Sequence, residues 1–551
     1  MNFLEVIWMR LEDWANRQVL EEIHANGRAG VTGAELLAWI QAARVFLRQR
    51  GLQPGDRCGL LAANSIRWVA MDLAIMAEGA VVVPLYARQA PAELGVMLQD
   101  SAPRLVVCGD GALRATVAPH SGGAPTALFE EAFGGIGAIA EKPRALHPEQ
   151  PVTIIYTSGT SGTPKGVPLT VANVGHMLPC TSARLDRLMG QRNEPERVFH
   201  YLPCCFAASW IVLLTCLGRD AVLSFSTDLQ RVAEELAAVA PNYFLNVPVM
   251  LERMRARIRT QIAGRRGLAA AIFEAGEGAW YRKQARKPKT LDGFRLRLAR
   301  ATVFAAIRKR LGPQLEALIC GSAPLAVETQ LFFFMLGIRV LQGYGLTETT
   351  GICTLDDPED VVAGRVGPAI PGIEMKLGPH GEILVRGPNV FPGYWRRPEE
   401  TALVLRDGWL HTGDQGEANE RGIWRITGRV KNLIILSSGH NVPPEPLEEM
   451  LVRSIPGAEQ AMVVGNDRSF LVAVITGAVK EEDVRSAFED INARLPHFER
   501  LRAFHLHPEP FTIESGLLTA NGKLRREAVQ AALRREIEQL YASPQPQAAR
   551  D

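Results

Sequence analysis

The chain has 551 residues, of which 47% are hydrophobic and 22% charged, and its formal net charge is +2. This length exceeds what one hydrophobic core usually supports, so at least two domains are expected. The net charge carries no strong message about nucleic acid or membranes. The eight cysteines form no C-x-x-C pair, which argues against a zinc site and a disulfide framework. The longest apolar stretches fall well short of the roughly 18 residues that a membrane span requires. We therefore expect a cytoplasmic protein.

The first residues predict an amphipathic helix. Its apolar positions recur at helical spacing, and the charged residues among them exclude the uncharged core of a signal peptide. The apolar positions are Leu4, Ile7, Trp8, Leu11 and Trp14. This face can pack on the body of the protein or contact a membrane, and we favour packing.

Helix and strand patterns alternate over the next hundred residues. In chain order they predict helix 34–50, strand 57–62, helix 73–78, strand 80–85, helix 91–99 and strand 105–108. Alternation of this kind is typical of an α/β fold with a largely parallel sheet.

A glycine- and hydroxyl-rich loop with one lysine follows the apolar run 152–155. Residues 156–166 read Y-T-S-G-T-S-G-T-P-K-G. Glycines let backbone N–H groups approach an anion, and Lys165 adds a mobile positive charge, so the loop is predicted to hold phosphate. Lys165 follows Pro164 and precedes Gly166, which is not the Walker arrangement, so NTPase-type phosphoryl transfer is not implied. The alternative is a flexible linker.

Two later regions differ in composition from the rest. Residues 253–310 are basic and helical in pattern, which is typical of a solvated helical insertion and also of a surface for anionic lipid or a carrier protein. From residue 428 the shorter elements predict a small α+β domain, and the chain closes with a Pro/Gln/Ala tail from 543 that we expect to be disordered.

Four further segments carry residue types suited to nucleotide chemistry. They read C-G-S-A-P-L at 320–325, Q-G-Y-G-L-T-E-T at 342–349, W-L-H-T-G-D at 409–414, and G-R-V-K at 428–431 followed by S-S-G-H-N-V at 437–442. In the second segment Tyr344 can stack on a base, Thr347 can bond a phosphate and Glu348 can ligate Mg²⁺. In the third, Asp414 can accept both hydroxyls of a ribose.

This ordered set resembles the adenylate-forming, or AMP-binding, superfamily of acyl-CoA synthetases, peptide-synthetase adenylation domains and luciferases. The resemblance runs from G-L-Q-P-G-D at 51–56 to N-G-K at 521–523. It implies a large, multi-subdomain adenylate-forming domain over 1–428, a small mobile α+β domain over 429–535 and a disordered tail over 536–551. That family uses ATP and Mg²⁺ to convert a carboxylate to acyl-AMP and then transfers the acyl group to a thiol.

The resemblance also implies a role for each matching residue. The ATP site would comprise Thr157, Ser158, Gly159, Thr160, Ser161, Gly162, Thr163, Lys165, Gly321, Gln342, Gly343, Tyr344, Thr347, Asp414, Arg429 and Lys523. Catalysis would rest on Lys523, which bridges the carboxylate and the α-phosphate, with Glu348 and Thr347. Mg²⁺ would bind at Glu348 and Thr157, the small domain would hinge at Lys431, and Gly439 would line the thiol tunnel.

The sequence indicates the acid substrate less directly than it indicates the ATP site. Residues 246–254, the helical insertion and residues 439–448 resemble the long-chain fatty acyl-CoA synthetase branch, in which CoA is the acceptor. However, Phe206 and Ser209 stand where that branch has His and Glu, so the acyl pocket differs near the head group. The expected function is a long-chain fatty acid–CoA ligase, at most in peripheral contact with the inner membrane surface and with no nucleic-acid partner. The alternatives are a ligase that loads an acyl carrier protein and a non-catalytic acyl- or nucleotide-binding relative.

Overall fold

The structure is a computed structural model that describes residues 1–134, 141–157, 164–264, 267–519 and 522–542. It divides into two compact units. The large unit consists of Met1–Met375, Val385–Leu410 and Ala418–Arg425, and the small unit consists of Lys376–Leu384, His411–Glu417 and Ile426–Asp551. The domain boundary after residue 428 stays a prediction.

Helices and strands alternate in the first part of the chain, as the sequence predicts. They are α1 (Phe3–Asp13), β1 (Gln18–His24), β2 (Gly27–Thr32), α2 (Gly33–Gln49), β3 (Arg57–Leu61), α3 (Ile66–Ala77), β4 (Val81–Leu85), α4 (Pro91–Ser101), β5 (Leu105–Cys108), α5 (Gly111–Val117), β6 (Thr126–Leu128), α6 (Phe129–Phe133) and β7 (Pro151–Thr157). Helix α3 begins earlier than the predicted 73, because the Ser65 side chain accepts the backbone N–H of Trp68 and caps the helix there.

The middle of the chain continues the alternation and adds four consecutive helices. Its elements are β8 (Lys165–Thr170), α7 (Val171–Met189), β9 (Glu196–His200), α8 (Ala207–Leu217), β10 (Ala221–Ser226), α9 (Val232–Val239), β11 (Tyr243–Asn246), α10 (Pro248–Ala263), α11 (Leu268–Gln284), α12 (Asp292–Ala299), α13 (Ala305–Leu311), β12 (Ala317–Cys320), α14 (Val327–Met335), β13 (Arg339–Tyr344) and β14 (Thr354–Leu355).

The last part consists of shorter elements. They are β15 (Glu374–Leu377), β16 (Glu382–Arg386), α15 (Pro398–Val404), β17 (Leu405–Arg406), β18 (Trp409–Ala418), β19 (Trp424–Arg429), β20 (Ile434–Ile435), β21 (Asn441–Val442), α16 (Pro444–Ser454), β22 (Ala458–Val464), β23 (Leu471–Gly477), α17 (Glu481–Asn492), β24 (Leu501–His507), α18 (Arg526–Ala532) and α19 (Arg534–Ala542).

Two largely parallel sheets form the large unit. One has the strand order β6-β5-β3-β4-β7-β8, in which only β8 runs antiparallel to its neighbour. The other has the order β14-β13-β12-β11-β9-β10-β1-β2, in which the two edge strands are antiparallel. Buried strands such as β4 are apolar throughout, as expected for a parallel sheet covered on both faces. The predicted α/β class is confirmed.

The small unit contains a three-stranded sheet in the order β22-β23-β24. Helices α16 and α17 pack on one face of it, through residues such as Leu451 and Phe488. Helices α18 and α19 pack on the other face, through Val529 and Ile537. The predicted α+β character is confirmed. One correction concerns the tail, since residues 536–542 lie in α19 and bury Ile537, whereas residues 543–551 lie outside the described part of the chain.

Helix α1 packs on the body of the large unit, as favoured from the sequence. Its predicted apolar positions are all buried, and it contacts α2, α3, α7 and α8. Asn2 and Glu5 form a capping box that fixes where the helix begins. Within the described ranges, no helix combines the length and apolar character needed to cross a membrane.

The basic stretch forms helices α10 to α13 and is a helical insertion. Its large apolar side chains, among them Phe273, Trp280, Leu296 and Phe304, are buried in the core that lies against β11 and β12. Helices α11 and α12 approach closely at Gly276, where an added Cβ would lie 2.3 Å from the Cβ of Ala299. The insertion is therefore anchored through its apolar residues.

Candidate functional site

The predicted phosphate loop connects two antiparallel strands. Strands β7 and β8 pair with Tyr156 opposite Gly166 and Thr157 opposite Lys165. Both ends of the loop are thus fixed in the sheet, side by side. The predicted ATP-binding residues Ser158, Gly159, Thr160, Ser161, Gly162 and Thr163 lie outside the described residues.

Lys165 and Glu348 meet on the same tyrosine. The Lys165 Nζ lies 5.2 Å from the centre of the Tyr394 ring, and the Tyr394 hydroxyl donates to Glu348 Oε1 at 2.8 Å. Burial, followed by the nearby charge of Glu348, raises the pKa of Tyr394, so this phenol stays a donor. Two motifs far apart in sequence therefore contribute a cation and a carboxylate to one place in the large unit.

Glu400, on α15, is the second partner of Lys165. The Lys165 Nζ lies 2.5 Å from Glu400 Oε2, and Arg397 NH1 donates to Glu400 Oε1 at 3.1 Å. The hydrogen bond from Lys165 is the main cause that lowers the pKa of Glu400. The lysine of the loop is thus already held by a carboxylate.

The other end of the loop joins the same polar cluster. Tyr156 donates its hydroxyl to Asp100 Oδ2 at 2.7 Å, and Arg397 NH2 donates to Asp100 Oδ1 at 3.2 Å. The backbone N–H of Trp395 donates to the carbonyl of Gly166 at 2.8 Å. The segment around 394–400 therefore ties both ends of the loop together.

The predicted adenine-flanking residues lie side by side. Strands β12 and β13 pair with Cys320 opposite Gln342, so Gly321 lies beside Gly343, and an added Cβ on Gly321 would be 3.2 Å from the Gly343 carbonyl oxygen. The Gln342 side chain, however, points into the core, where its amide donates to Gln330 Oε1 at 3.0 Å. It supports the strand, which leaves the backbone and Tyr344 as the groups that can meet a base.

Asp356, directly after β14, forms two hydrogen bonds with the backbone of Gln342. Its Oδ2 accepts the Gln342 N–H at 2.8 Å, and its own N–H donates to the Gln342 carbonyl at 2.8 Å. Burial raises the pKa of Asp356 to about 8. This carboxyl was not predicted from the sequence, and it fixes the strand end that leads into the motif.

Thr347 and Glu348 lie in a single 3₁₀ turn, Thr347–Thr349. The turn is fixed by Thr349, whose hydroxyl oxygen accepts the N–H of Leu346 at 2.8 Å. The motif also requires glycine at 345, since an added Cβ would lie 2.4 Å from the Gly351 carbonyl oxygen. Carboxylate and hydroxyl oxygens of this kind fit Mg²⁺, which binds through one or two carboxylates together with substrate phosphates. Within the described ranges, no cluster of three or more His, Cys, Asp or Glu suited to a metal is found.

Phe206 lies at the start of α8, next to this motif. Its ring packs 5.7 Å from that of Tyr86, and the backbone of Ala208 lies 3.1 Å from where a Cβ on Gly351 would be. Ser209 is buried and forms a hydrogen bond of 2.7 Å with His200 Nε2. Burial lowers the pKa of His200 to about 4, so this imidazole is neutral. The Phe206–Tyr86 ring pair is therefore an aromatic surface close to this motif.

Asp414 and Arg429 meet in the small unit. Arg429 Nε lies 2.8 Å from Asp414 Oδ1, and Asp414 is buried while Arg429 is about one-third exposed. The N–H of Asp414 also donates to the Thr412 hydroxyl at 3.1 Å. These contacts fix the carboxylate in orientation, as recognition of a ribose diol requires.

The remaining predicted residues of the small unit lie on turns. Lys431 lies in the 3₁₀ turn Val430–Asn432 directly after β19. Gly439 has φ +83, with nothing within 4 Å of an added Cβ, so glycine is required by backbone conformation there. Lys523 is exposed on a tight turn in which its N–H donates to the Thr519 hydroxyl and its carbonyl accepts the Thr519 N–H.

Sequence reasoning missed the segment 394–400. Tyr394, Arg397 and Glu400 are distant in sequence from both motifs, and their contacts with them are tertiary. The only local signal is a polar-aromatic run followed by Pro398 at the start of a helix.

Family models match most of the chain. The model described as AMP-binding enzyme matches residues 11–395, and the model described as AMP-binding enzyme C-terminal domain matches residues 431–545. Both matches agree with the resemblance inferred from the motifs, which is thereby confirmed.

Named relatives and solved structures agree with these models. A long-chain-fatty-acid–CoA ligase, FadD15, from Mycobacterium bovis is 30% identical, over 93% of this chain and 92% of the relative. Long chain acyl-CoA synthetase 3 from Arabidopsis thaliana is 28% identical, over 90% of this chain and 84% of its own length. The crystal structure of ATP-bound MatB from Rhodopseudomonas palustris has a TM-score of 0.73 and 25% identity, covering 97% of this chain and 99% of that chain. The predicted adenylate-forming fold is confirmed, and this chain belongs to the family of AMP-binding enzymes.

Proposed function

We propose that this AMP-binding enzyme activates a long-chain fatty acid with ATP to acyl-AMP and then transfers the acyl group to CoA. The observation that carries the proposal is the meeting of Lys165 and Glu348 on Tyr394. Through this tyrosine the Lys165 ammonium group, which can bind phosphates, lies near the Glu348 carboxylate, which can bind Mg²⁺. Both lie close to the end of β13, where Tyr344 is. Relatives named as long-chain acyl-CoA ligases support the class of acid.

The residues suit attack by a carboxylate on the α-phosphate. Both reactants are anions, so neutralisation of charge and alignment matter more than proton transfer. Lys165 would hold phosphates of the leaving pyrophosphate, and Lys523 would bridge the acid and the α-phosphate. Mg²⁺ bound at Glu348 and Thr157 would neutralise further phosphate charge. Asp414 and Arg429 would bind the ribose.

The acyl group would bind beyond Phe206. Each buried CH₂ contributes about 0.8 kcal/mol, so a long chain can bind tightly without specific polar contacts. The Phe206–Tyr86 ring pair offers such an apolar surface next to the Thr347–Glu348 turn. Phe206 would therefore influence whether the site accepts acids that carry branches near the carboxylate.

CoA is the acceptor we propose, with the loop at Gly439 lining the path of its thiol. An acyl carrier protein is the second candidate acceptor, because its phosphopantetheine presents the same thiol chemistry. Long-chain acids partition into bilayers, so we also propose peripheral contact with a membrane surface.

A pyrophosphate-release screen tests the function. The full chain is incubated with ATP, Mg²⁺ and fatty, aromatic or branched acids, with CoA, with a carrier protein or with neither. Long-chain fatty acids should give the fastest acid-dependent release, and CoA should accelerate turnover. Absence of acid-dependent release with every acid would identify a non-catalytic relative. Acceleration by the carrier protein and not by CoA would identify the carrier protein as the acceptor.

A further inference from the structure

Helix α12 is apolar on two sides. Leu296 and Ala299 point into the core. Phe294 and Leu298, together with Leu291 directly before the helix, follow each other at spacings of three and four on another side. Leu291, Phe294 and Leu298 are 58%, 66% and 38% exposed. A helix that is apolar on a second side as well as toward its own core usually has a partner for that second side.

The surroundings of this exposed apolar side are strongly cationic. Between residues 283 and 310 the sequence has ten Lys and Arg and a single acidic residue, Asp292. Asp292 is 4% exposed, and both its oxygens accept hydrogen bonds from Arg282, at 2.6 and 2.8 Å. The one carboxylate is therefore buried, while the cations remain at the surface. The exposed ones near α12 are Lys283, Arg286, Lys287, Lys289, Arg297 and Arg300.

The cations flank the apolar residues. Successive helix positions are about 100° apart, so Arg295 lies on one side of the apolar stripe and Arg297 lies on the other, whereas Arg300 follows the helix and lies roughly opposite the stripe. Long basic side chains in such positions can extend toward a charged headgroup layer while their stems lie on apolar surface. This arrangement is typical of a helix that lies in a membrane interface.

The N-terminal helix offers a useful contrast. Its exposed apolar residues, Val6 and Met9, are 40% and 47% exposed. Acidic residues accompany them, among them Glu5 and Glu12, and Arg10 is paired with Asp220. Exposed apolar side chains therefore also occur on α1, but there acidic residues accompany them. On α12 basic residues accompany them.

We propose that Leu291, Phe294 and Leu298 of this surface, together with Arg295 and Arg297, dock the protein on an anionic lipid bilayer. The apolar side chains enter the boundary between headgroups and acyl chains, and the basic side chains bind lipid phosphates and carboxylates. Charge complementarity and the exposed phenylalanine favour a lipid surface as occupant over an acidic protein. This surface would be where the proposed membrane contact is made, so the proposal rests on the membrane contact named in the proposed function.

Vesicle flotation with the full chain tests the surface. Vesicles of phosphatidylcholine with about one-third phosphatidylglycerol are compared with phosphatidylcholine alone. The parent should bind the anionic vesicles. The triple variant Leu291→Gln, Phe294→Gln, Leu298→Gln should lose about tenfold or more in partition coefficient. The double variant Arg295→Gln, Arg297→Gln should lose about fivefold in partition coefficient per charge removed, and added salt should weaken parental binding.

The matched control is Val6→Gln, Met9→Gln, which alters exposed apolar residues on α1 and should leave vesicle binding unchanged. The single variant Phe294→Gln gives a second, milder test of the same face. Undiminished binding of the α12 variants would overturn the proposal. So would equal binding of the parent to neutral and anionic vesicles, or binding of a carrier protein at this face in place of vesicles.

Pyrophosphate release in vesicle-free buffer separates this inference from the ligase function. The α12 variants change exposed side chains away from the described site, so their release should stay within about twofold of the parent. A parent that binds anionic vesicles but releases no pyrophosphate would refute the ligase function alone. A parent that releases pyrophosphate but does not bind vesicles would refute the membrane contact and the docking surface, and would leave the ligase function standing.

Discussion

The Nζ of Lys165 lies 2.5 Å from Oε2 of Glu400. The lysine of the phosphate loop is thus paired with a carboxylate from α15, while its charge also faces the ring of Tyr394. A nucleotide phosphate that reaches Lys165 must either displace Glu400 or share the ammonium group with it. The pairing fixes where the positive charge lies before any phosphate binds.

Removing the charge of Lys165 is expected to weaken ATP binding. A hydrogen bond to a charged group contributes about 1.5–3 kcal/mol, so Lys165→Met should raise the KM for ATP roughly 10- to 100-fold. The effect on kcat should be smaller, because the phosphates held there belong to the leaving group. Initial rates of pyrophosphate release against ATP concentration measure both. Lys142→Met, an exposed lysine of the same unit, is the control, and a KM within twofold of the parent would contradict this role.

Glu400 is expected to stabilise the large unit in a pH-dependent way. Its folded-state pKa lies below the ordinary 4.5, chiefly through the hydrogen bond from Lys165. Its stabilisation is therefore fully present above about pH 4.5 and is lost as the pH falls through the lowered folded-state pKa. Because the pair is partly exposed, Glu400→Gln should cost about 1 kcal/mol or less near neutral pH.

Denaturant midpoints of the parent and Glu400→Gln, taken near neutrality and in acid, measure this contribution. The two proteins should differ near neutrality and converge in acid. Glu399→Gln, at the exposed neighbouring position, should match the parent throughout. A difference that persists unchanged into acid would contradict the assigned ion pair.

Lys523 is expected to carry the largest single effect on acyl-adenylate formation. Loss of one preorganised charge aimed at a developing negative charge costs roughly 10²- to 10³-fold in rate. Lys523→Ala should therefore slow acid-dependent pyrophosphate release by that factor. Lys480→Ala removes a lysine that is 76% exposed in the same unit and serves as control. If Lys523→Ala stayed within a few-fold of the parent, the proposed mechanism would fail.

Gly439 is expected to matter for thioester formation and not for the adenylate. A side chain there would narrow the proposed thiol path, so Gly439→Leu should reduce acyl-CoA formation at least about tenfold while sparing acyl-AMP. Its φ of +83 adds backbone strain to any substitution. Gly516→Leu controls for that strain, because Gly516 has φ +73 and open space around an added Cβ. Equal loss of both half-reactions in Gly439→Leu would argue against the tunnel.

The sequence predicted the fold well in segments where buried apolar positions recur at a regular spacing. The alternation of apolar runs and helical spacing placed β3 to β5 and the helices between them, because parallel strands are covered on both faces. The family followed from two motifs whose glycines and hydroxyls are required by the chemistry. The start of α3 was missed, because one capping bond from Ser65 decides it.

Tertiary contacts decided what the sequence did not predict. Nothing local to Tyr394 or Glu400 indicates that they reach Glu348 and Lys165, since these contacts depend on how a loop and a short helix fold back on the sheet. Gln342 was assigned to the ATP site as a residue beside adenine. Gln330 holds its side-chain amide in the interior, so the assignment, which stays a prediction, can concern only its backbone. A polar residue at a strand end can serve the strand or a ligand, and only the packing around it distinguishes the two.

Strand β8 is the edge of its sheet, and an unprotected edge invites pairing with another molecule. On that edge the Trp395 N–H donates a hydrogen bond to the carbonyl of Gly166, and helix α4 packs beside the strand. The segment that holds Lys165 through Glu400 therefore also covers part of the edge that another molecule could pair with. Variants that loosen residues 394–400 should be checked by light scattering before lost activity is attributed to the site.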